Sequence, residues 1–263
     1  MWPGPPVIRR QRDQACLPDS TGAADAEFPT ELERGADRLP ARRSLRRQGG
    51  QRSLDMLRWG LIPYWAKDTN VGFANINAKA EGIENKPAFR KAFERRRCLV
   101  PVDNFYEWKK TATGKQPYAI ALADRGIMPL ACLWENWHSP AGERIRTFAI
   151  ITTQPNELCA ELHNRMPVVL KPDVWPAWLG EQPATVSDLK AMLAPYPFDE
   201  MFCWPVNTRV GNVRNNDSSL IEPVAGRIAT AGRHPKPFTR AVVEYACRRW
   251  PFQNEISPLR ATL

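Results

Sequence analysis

The chain has 263 residues, of which 43% are hydrophobic and 25% are charged. This length and apolar content suffice for one sizeable hydrophobic core, which excludes a wholly disordered chain. The formal net charge is +9. A basic surface concentrates polyanions such as nucleic acids, although a solvated basic surface without a partner has the same charge. The charge therefore favours a polyanionic partner and leaves the alternative open.

Cysteine spacing and hydrophobic segments exclude several further classes of protein. No CxxC pair occurs, so neither a zinc site nor a disulfide framework is predicted. No apolar run approaches the roughly 20 residues that cross a bilayer, and no apolar segment follows the N-terminal basic residues. We therefore expect a cytoplasmic protein with reduced thiols, no metal and no cofactor. The cysteines are Cys16, Cys98, Cys132, Cys159, Cys203 and Cys247.

The first 52 residues differ in composition from the rest of the chain. Arginine, alanine, proline and glycine crowd this segment, whereas the first lysine is Lys67 and the first tyrosine is Tyr64. Residues 41–52, ARRSLRRQGGQR, contain five arginines and no acidic residue. This pattern is typical of a disordered arm or of one that contacts nucleic acid. We therefore expect residues 1–52 to be an aberrant, disordered segment ahead of a domain at residues 53–224.

The next elements are predicted from hydrophobic patterning. LDMLRWGLIPYW predicts a buried strand that runs into a turn. KPAFRKAFERRR has helical periodicity, and a strand through Leu99 and Val100 follows it. PYAIALA and PLACLWENW predict two strands joined by the turn DRGIM as a hairpin.

The C-terminal half continues with short elements. RTFAIITT and RMPVVL predict strands on either side of a short helix in PNELCAELHN. VWPAWL and VSDLKAMLAP predict helices, the second capped by Ser187. The pattern indicates an α+β domain with a mainly antiparallel, barrel-like sheet and peripheral helices. Residues 225–263 are expected to form a C-terminal extension with one amphipathic helix at residues 239–250.

Three polar clusters interrupt this apolar pattern. They are FANINAKAE, NFYEWKK and LHNRMPVVL, and they contain Asn77, Glu107 and His163. A carboxylate between aromatic residues is partly desolvated, which raises its pKa and suits it to general acid catalysis. Taken singly, each residue also has a structural explanation: a turn residue for Asn77, a surface strand residue for Glu107 and a helix C-terminal cap for His163.

Taken together, the motifs resemble one family. WGLIPYWAKD, NAKAE, RRCLVPVDNFYEWKK, TFAIITTQPN, LHNRMPVVL and PVNTRVGNVRNNDSSLIEPV occur in the order and spacing of the SRAP family, the SOS-response-associated peptidases or abasic-site processing proteins. The resemblance covers residues 54–224. It implies an α+β domain with a basic groove for single-stranded DNA. In the family an N-terminal cysteine captures the aldehyde of an abasic site: its α-amine forms a Schiff base and its thiol closes a thiazolidine.

The resemblance also assigns roles to residues. Asn77 matches the asparagine that orients the opened sugar, Glu107 the carboxylate that transfers protons, and His163 the histidine that assists Schiff-base chemistry. Lys79 stands where the family usually has arginine, which keeps the charge and loses the bidentate fork. The implied partner is single-stranded DNA with abasic sites, bound by a monomer in the DNA-damage (SOS) response, and the protein would associate with the nucleoid when DNA-bound.

Further DNA contacts follow from the same motifs. Trp59 and Trp65 lie in the WG-x-x-P-x-W segment, whose aromatic rings stack on unpaired bases. Thr152 stands where the family has a threonine near the site. Arg165 and Arg209 are predicted to contact phosphates.

The start of the chain departs from the family. Where the family begins Met-Cys-Gly-Arg, this sequence begins Met-Trp-Pro, and Cys16 has no free α-amine beside its thiol. Loss of the third base of the cysteine codon would give Met-Trp followed by Ser, Pro, Thr or Ala, so a frameshift restored near Arg52 is one hypothesis. With Trp2 in place of the nucleophile, we expect the chain as written to lack the crosslinking and self-processing peptidase activities. A non-catalytic single-stranded DNA-binding protein is the alternative, and a weak lyase that uses another amine is a third.

Overall fold

The described residues form two β-sheets and a few short helices. A computed structural model describes residues 41–48, 51–212, 214–224 and 229–230. The strands are β1 (Ala41–Gln48), β2 (Gln51–Trp59), β3 (Asn77–Lys79), β4 (Arg97–Val102), β5 (Phe105–Thr111), β6 (Gly114–Leu122), β7 (Met128–His138), β8 (Arg144–Thr153), β9 (Met166–Pro167), β10 (Met201–Pro205) and β11 (Ala229–Thr230). The α-helices are α1 (Val71–Ala74), α2 (Arg90–Arg95), α3 (Glu157–Ala160), α4 (Trp175–Leu179) and α5 (Val186–Ala191). Short 3-10 turns lie at Ile83–Asn85, Pro172–Val174, Phe198–Glu200, Thr208–Gly211 and Ser218–Ile221.

The larger sheet has seven strands and curls into a barrel. Its order is β2-β1-β4-β7-β8-β3, with β9 also paired to β8. Strand β2, the first in this order, also pairs in parallel with β8 through Trp59 and Phe148. This pairing closes the sheet. The β2–β8 and β3–β8 pairs are parallel, and the other described pairs are antiparallel. The predicted α+β fold with a mainly antiparallel, barrel-like sheet is confirmed.

The smaller sheet has the order β11-β10-β6-β5. It corrects one sequence prediction, because β6 and β7 do not form a hairpin and lie in different sheets. Both edges of β6 are occupied, by β5 and β10, and both edges of β7 are occupied, by β4 and β8. A short connection along the chain does not produce a hairpin when other strands fill both edges of each strand.

The N-terminal boundary is also corrected. Strand β1 pairs with β2 along its whole length and with β4 at Leu45 and Arg46. The prediction of a disordered arm is therefore wrong for the described part of residues 41–52. The prediction rested on the number of arginines in this segment. It gave too little weight to Gly49 and Gly50, which separate two strand-like runs and are a hairpin signal. Residues 1–40 and the helix predicted at residues 239–250 lie outside the described residues.

Smaller elements follow from local chemistry. The predicted cap of α5 is wrong: Thr185, not Ser187, caps this helix, and Thr185 and Asp188 form a capping box. The side chains of both residues satisfy backbone N–H groups at the helix start, which Ser187 inside the first turn does not do. Among the described residues, no helix is long and apolar enough to cross a membrane.

The hydrophobic core joins the two sheets. One cluster contains Leu57, Val100 and Leu130 from the barrel together with Phe105 and Ile120 from the smaller sheet. This packing fixes strand β5 against the barrel. It therefore sets the position of Glu107, two residues after Phe105.

Candidate active site

The C-terminal end of β8 gathers residues from three separate motifs. Lys79 on β3 pairs with Thr152 on β8, and Thr152 pairs with Pro167 on β9. The N–H of Val168 donates to the carbonyl oxygen of Ile151 at 2.9 Å, so the chain after β9 stays against β8. Asn77 and Lys79, predicted from one segment, and Thr152, predicted from another, therefore lie on neighbouring strands.

Glu107 is buried on β5, with 6% of its surface exposed. The flanking Phe105 and Tyr106 are buried as well, as the sequence indicated. Burial raises the pKa of Glu107 to about 8, and a backbone hydrogen bond from Trp108 acts in the opposite direction. The alternative of a surface strand residue is wrong. At neutral pH this carboxyl group mostly retains its proton and can donate it.

His163 faces this carboxyl group. Its Nδ1 lies 3.9 Å from Oε1 of Glu107. The backbone N–H of His163 donates to the carbonyl oxygen of Cys159 at 2.9 Å, which places the residue just after α3. Asn156 caps α3 by accepting the N–H of Cys159 at 2.9 Å. A capped helix and the turn that follows it thus set the position of the imidazole.

Arg165 is engaged by protein groups rather than directed fully to solvent. Its Nη1 and Nη2 donate to the two carboxylate oxygens of Glu81 at 2.7 and 2.9 Å. Its Nη2 also donates to the carbonyl oxygen of Thr152. The hydrogen bond from Arg165 holds the pKa of Glu81 below its usual range. Sequence reasoning missed Glu81, although it belongs to the same NAKAE motif as Lys79.

Asn77 has an unused acceptor. Its Oδ1 is shielded from water and has no hydrogen-bond partner among the described residues. A buried polar atom without a partner is uncommon in folded proteins. At this position it marks a polar atom that the described residues leave unsatisfied.

The two tryptophans predicted to stack on bases differ in exposure. Trp59 is only 4% exposed, its ring stacks on Phe148, and its Nε1 donates to the carbonyl oxygen of Ile76 at 2.8 Å. This burial is incompatible with the predicted base stacking of Trp59, whose role is in the core. Trp65 is 52% exposed, and the adjacent turn is held by Nε1 of Trp137, which donates to the carbonyl oxygen of Ala66 at 2.7 Å.

Arg209 lies apart from this group, next to the smaller sheet. Its Nη2 donates to Asp217 at 2.8 Å, and its neighbour Val210 packs with Tyr106 and Trp204. The guanidinium remains half exposed. The described contacts do not join Arg209 to Asn77, Glu107 or His163.

The four described cysteines, Cys98, Cys132, Cys159 and Cys203, are buried thiols. Burial raises the pKa of Cys159 to about 12 and that of Cys203 to about 11. Their thiolates are therefore scarce at neutral pH, which disfavours nucleophilic attack. Within the described ranges, no group of three or more His, Cys, Asp or Glu side chains is arranged to hold a metal ion.

Comparison with known proteins places the chain in a family. A sequence profile of the SOS response associated peptidase (SRAP) family matches residues 14–213, so the match begins inside the segment predicted to precede the domain. The abasic site processing protein YoqW of Bacillus subtilis is 42% identical over 175 residues, which cover 66% of this chain and 78% of YoqW. The abasic site processing protein HMCES of Gallus gallus is 30% identical over 198 residues, covering 66% of this chain and 58% of HMCES.

A solved structure agrees with these relatives. The crystal structure of a protein from Bacteroides thetaiotaomicron is similar with a TM-score of 0.66 and 26% identity, covering 71% of this chain and 82% of that chain. The family profile, the named relatives and the structural similarity are consistent with one another. The chain therefore belongs to the SOS response associated peptidase family.

Proposed function

We propose that this chain processes abasic sites in single-stranded DNA and that Glu107 and His163 transfer the protons this requires. The observation that carries the proposal is the buried carboxyl group of Glu107, with a pKa of about 8, at 3.9 Å from His163. A neutral carboxyl group can protonate the ring oxygen of an abasic sugar as the hemiacetal opens to an aldehyde. The imidazole can then exchange a proton in the condensation that follows.

Neighbouring residues supply binding. Asn77, on the strand that also carries Lys79, would orient the opened sugar through its amide group. Lys79 offers an exposed ammonium group for a phosphate, and exposed Trp65 offers a ring for an unpaired base. Phosphate contacts by Arg165 and Arg209 belong to the same proposal. Positive charge beside an exposed aromatic ring favours binding of single-stranded DNA, because its unpaired bases are free to stack on the ring.

The described residues supply proton transfer and binding, and not the nucleophile. Thiazolidine formation needs an amine and a thiol on one residue, and each described cysteine is an internal, buried residue without an α-amine. A covalent product of this type would therefore involve a residue outside the described part of the chain. Mapping any crosslinked peptide by mass spectrometry identifies that residue.

Binding is tested with one oligonucleotide that carries a single abasic site. We expect a band shift on native gels that weakens as salt rises, because phosphate contacts release counterions. A band that also survives denaturing electrophoresis would report covalent chemistry. If the single-stranded oligonucleotide is not shifted even at low salt, the proposal is wrong.

Proton transfer is tested by adding free cysteine, which supplies an external amine and thiol. We expect the protein to accelerate conversion of the abasic site to the cysteine thiazolidine, measured by mass spectrometry of the oligonucleotide. Glu107→Gln should bind DNA and lose the acceleration, because the amide cannot donate a carboxyl proton. The control is Glu161→Gln, at an exposed glutamate that pairs with Lys109. Equal rates for the two variants would contradict the role of Glu107.

A further inference from the structure

Glu81 is a charged residue beside the site that the proposed proton transfer does not use. It follows β3 by two residues, and its side chain is half exposed. Both of its carboxylate oxygens accept hydrogen bonds from Arg165, at 2.7 and 2.9 Å. A pair of parallel charge-assisted bonds fixes the plane of the guanidinium as well as its distance.

Arg165 connects this pair to His163. Through its side chain, Arg165 binds Glu81 and the carbonyl oxygen of Thr152. Through its backbone, its nitrogen and its oxygen each lie 3.2 Å from Nδ1 of His163. The residue that Glu81 holds is therefore also the residue against which the imidazole rests.

The pair is more suited to orientation than to stability. Ion pairs that are exposed to solvent contribute little to folding, because water screens them. Here the arginine is only 17% exposed, whereas the glutamate is half exposed, so the carboxylate faces a largely shielded guanidinium. The Nε of Arg165 is shielded from water and has no partner among the described residues. Within the described part of the chain, the Nη contacts with Glu81 and Thr152 therefore set the direction of this side chain.

We propose that Glu81 is a positioning residue: through Arg165 it holds the turn of residues 163–165, and it thereby keeps His163 beside Glu107. Its effect on the reaction rests on the proposed function, in which His163 acts. Its effect on the imidazole does not depend on DNA. A competing explanation is that Glu81 occupies Arg165 and keeps it from a DNA phosphate, in which case His163 would not respond to Glu81.

The first test follows the imidazole by NMR in the full chain without DNA. The sequence has three histidines, and the signal of His163 is identified by its loss in His163→Gln. We expect Glu81→Gln to move the ring-nitrogen signals of His163 toward the tautomer average of an unrestrained imidazole. The control is Glu200→Gln, at a similarly exposed glutamate that pairs with Lys171 at 2.6 Å, and it should leave those signals in place. Unchanged His163 signals in Glu81→Gln would overturn the proposal.

The second test separates positioning from competition. With abasic oligonucleotide and free cysteine, we expect Glu81→Gln to lower the rate about tenfold or more, with little change in DNA affinity, because small misplacements of catalytic groups have large effects on rate. Tighter binding at an unchanged rate would support competition for Arg165 and overturn positioning. If the parent chain neither binds abasic DNA nor accelerates the reaction, the proposed function fails, and the NMR test still decides the role of Glu81.

Discussion

Two buried glutamates show how one residue type serves two purposes in this protein. Glu135 on β7 accepts a hydrogen bond from Arg96 at 2.5 Å and another from the backbone N–H of Asn136 at 2.9 Å. Burial raises its pKa, and the positive charge of Arg96 opposes that shift. Glu107 faces an imidazole at 3.9 Å instead of a guanidinium. The first carboxylate is compensated by the positive charge of Arg96, whereas burial keeps the second mostly protonated at neutral pH.

Glu107 should make the stability of the fold depend on pH. Its pKa rises from 4.5 to about 8 on folding, so between these values the unfolded chain ionises while the folded protein still binds the proton. The free energy of unfolding should therefore fall as pH rises through this interval and level off above it, with a limit of about 5 kcal/mol. Glu107→Gln should remove this dependence. The measurement is denaturant unfolding between pH 4.5 and 9 for the parent and the variant.

The exposed Glu161 provides the comparison for this experiment. Glu161→Gln makes the same change of charge at a side chain that is 68% exposed. It should leave the pH profile of the parent nearly unchanged. Profiles of parent and Glu107→Gln that run parallel would show that Glu107 ionises normally in the folded state.

At the scale of elements, helix α1 depends on a close backbone approach. A Cβ atom at Gly72 would lie 2.9 Å from the carbonyl oxygen of Gly60 and 3.3 Å from Cγ1 of Ile62. Gly72→Ala should therefore destabilise the protein by about 1–3 kcal/mol, because the backbone must shift to make room. It should also weaken binding of single-stranded DNA, since the displaced segment carries Trp65. Denaturant unfolding and native gel shifts measure the two effects.

Gly211 provides a control that separates the effect of steric crowding from the effect of replacing a glycine. A Cβ at Gly211 meets no atom within 4 Å, and the backbone there does not require a positive φ. Gly211→Ala should leave stability unchanged or raise it by about 0.4–1 kcal/mol through lower entropy of the unfolded chain. Equal destabilisation by both variants would mean that contact with Gly60 does not limit the position of α1.

Sequence patterns predicted some of these elements and missed others for identifiable reasons. The apolar run that became β8 and the helical period of α2 are local signals, and both were correct. Strand β1 was missed because its arginines outweigh its apolar residues, while its pairing with β2 and β4 is a property of the sheet. The hairpin predicted between β6 and β7 failed because each strand is already paired on both edges, β6 with β5 and β10 and β7 with β4 and β8.

The same distinction holds for the site. Asn77, Glu107 and His163 were predicted from motifs that resemble a family, and burial of Glu107 followed from its aromatic neighbours. The prediction for Trp59 was wrong because the local sequence does not distinguish an aromatic residue of the core from one that lines a DNA-binding groove. Glu81 was missed because its partner, Arg165, lies 84 positions away and meets it only when β8 brings β3 and β9 together.

At the scale of the whole molecule, the salt dependence of DNA binding tests which of the positive charges behind the net charge of +9 contact phosphates. Each phosphate contact on single-stranded DNA adds about 0.7 to the slope of log affinity against log salt concentration. Lys79→Gln should lower the magnitude of this slope by about that amount, because its exposed ammonium group lies on the strand next to Thr152. Titrations at four or more salt concentrations with one unmodified and one abasic oligonucleotide give the slopes.

Lys171 supplies the matched change of charge for this measurement. Its ammonium group pairs with Glu200 at 2.6 Å and lies over the ring of Tyr196, so its charge is compensated within the protein. Lys171→Gln lowers the net charge by the same unit as Lys79→Gln and should leave the slope unchanged. Equal slopes for the two variants would show that net charge alone governs binding, and different slopes would locate the phosphate path along β3. The second outcome follows if the end of β8 is where DNA binds, because salt sensitivity then depends on contacts rather than on total charge.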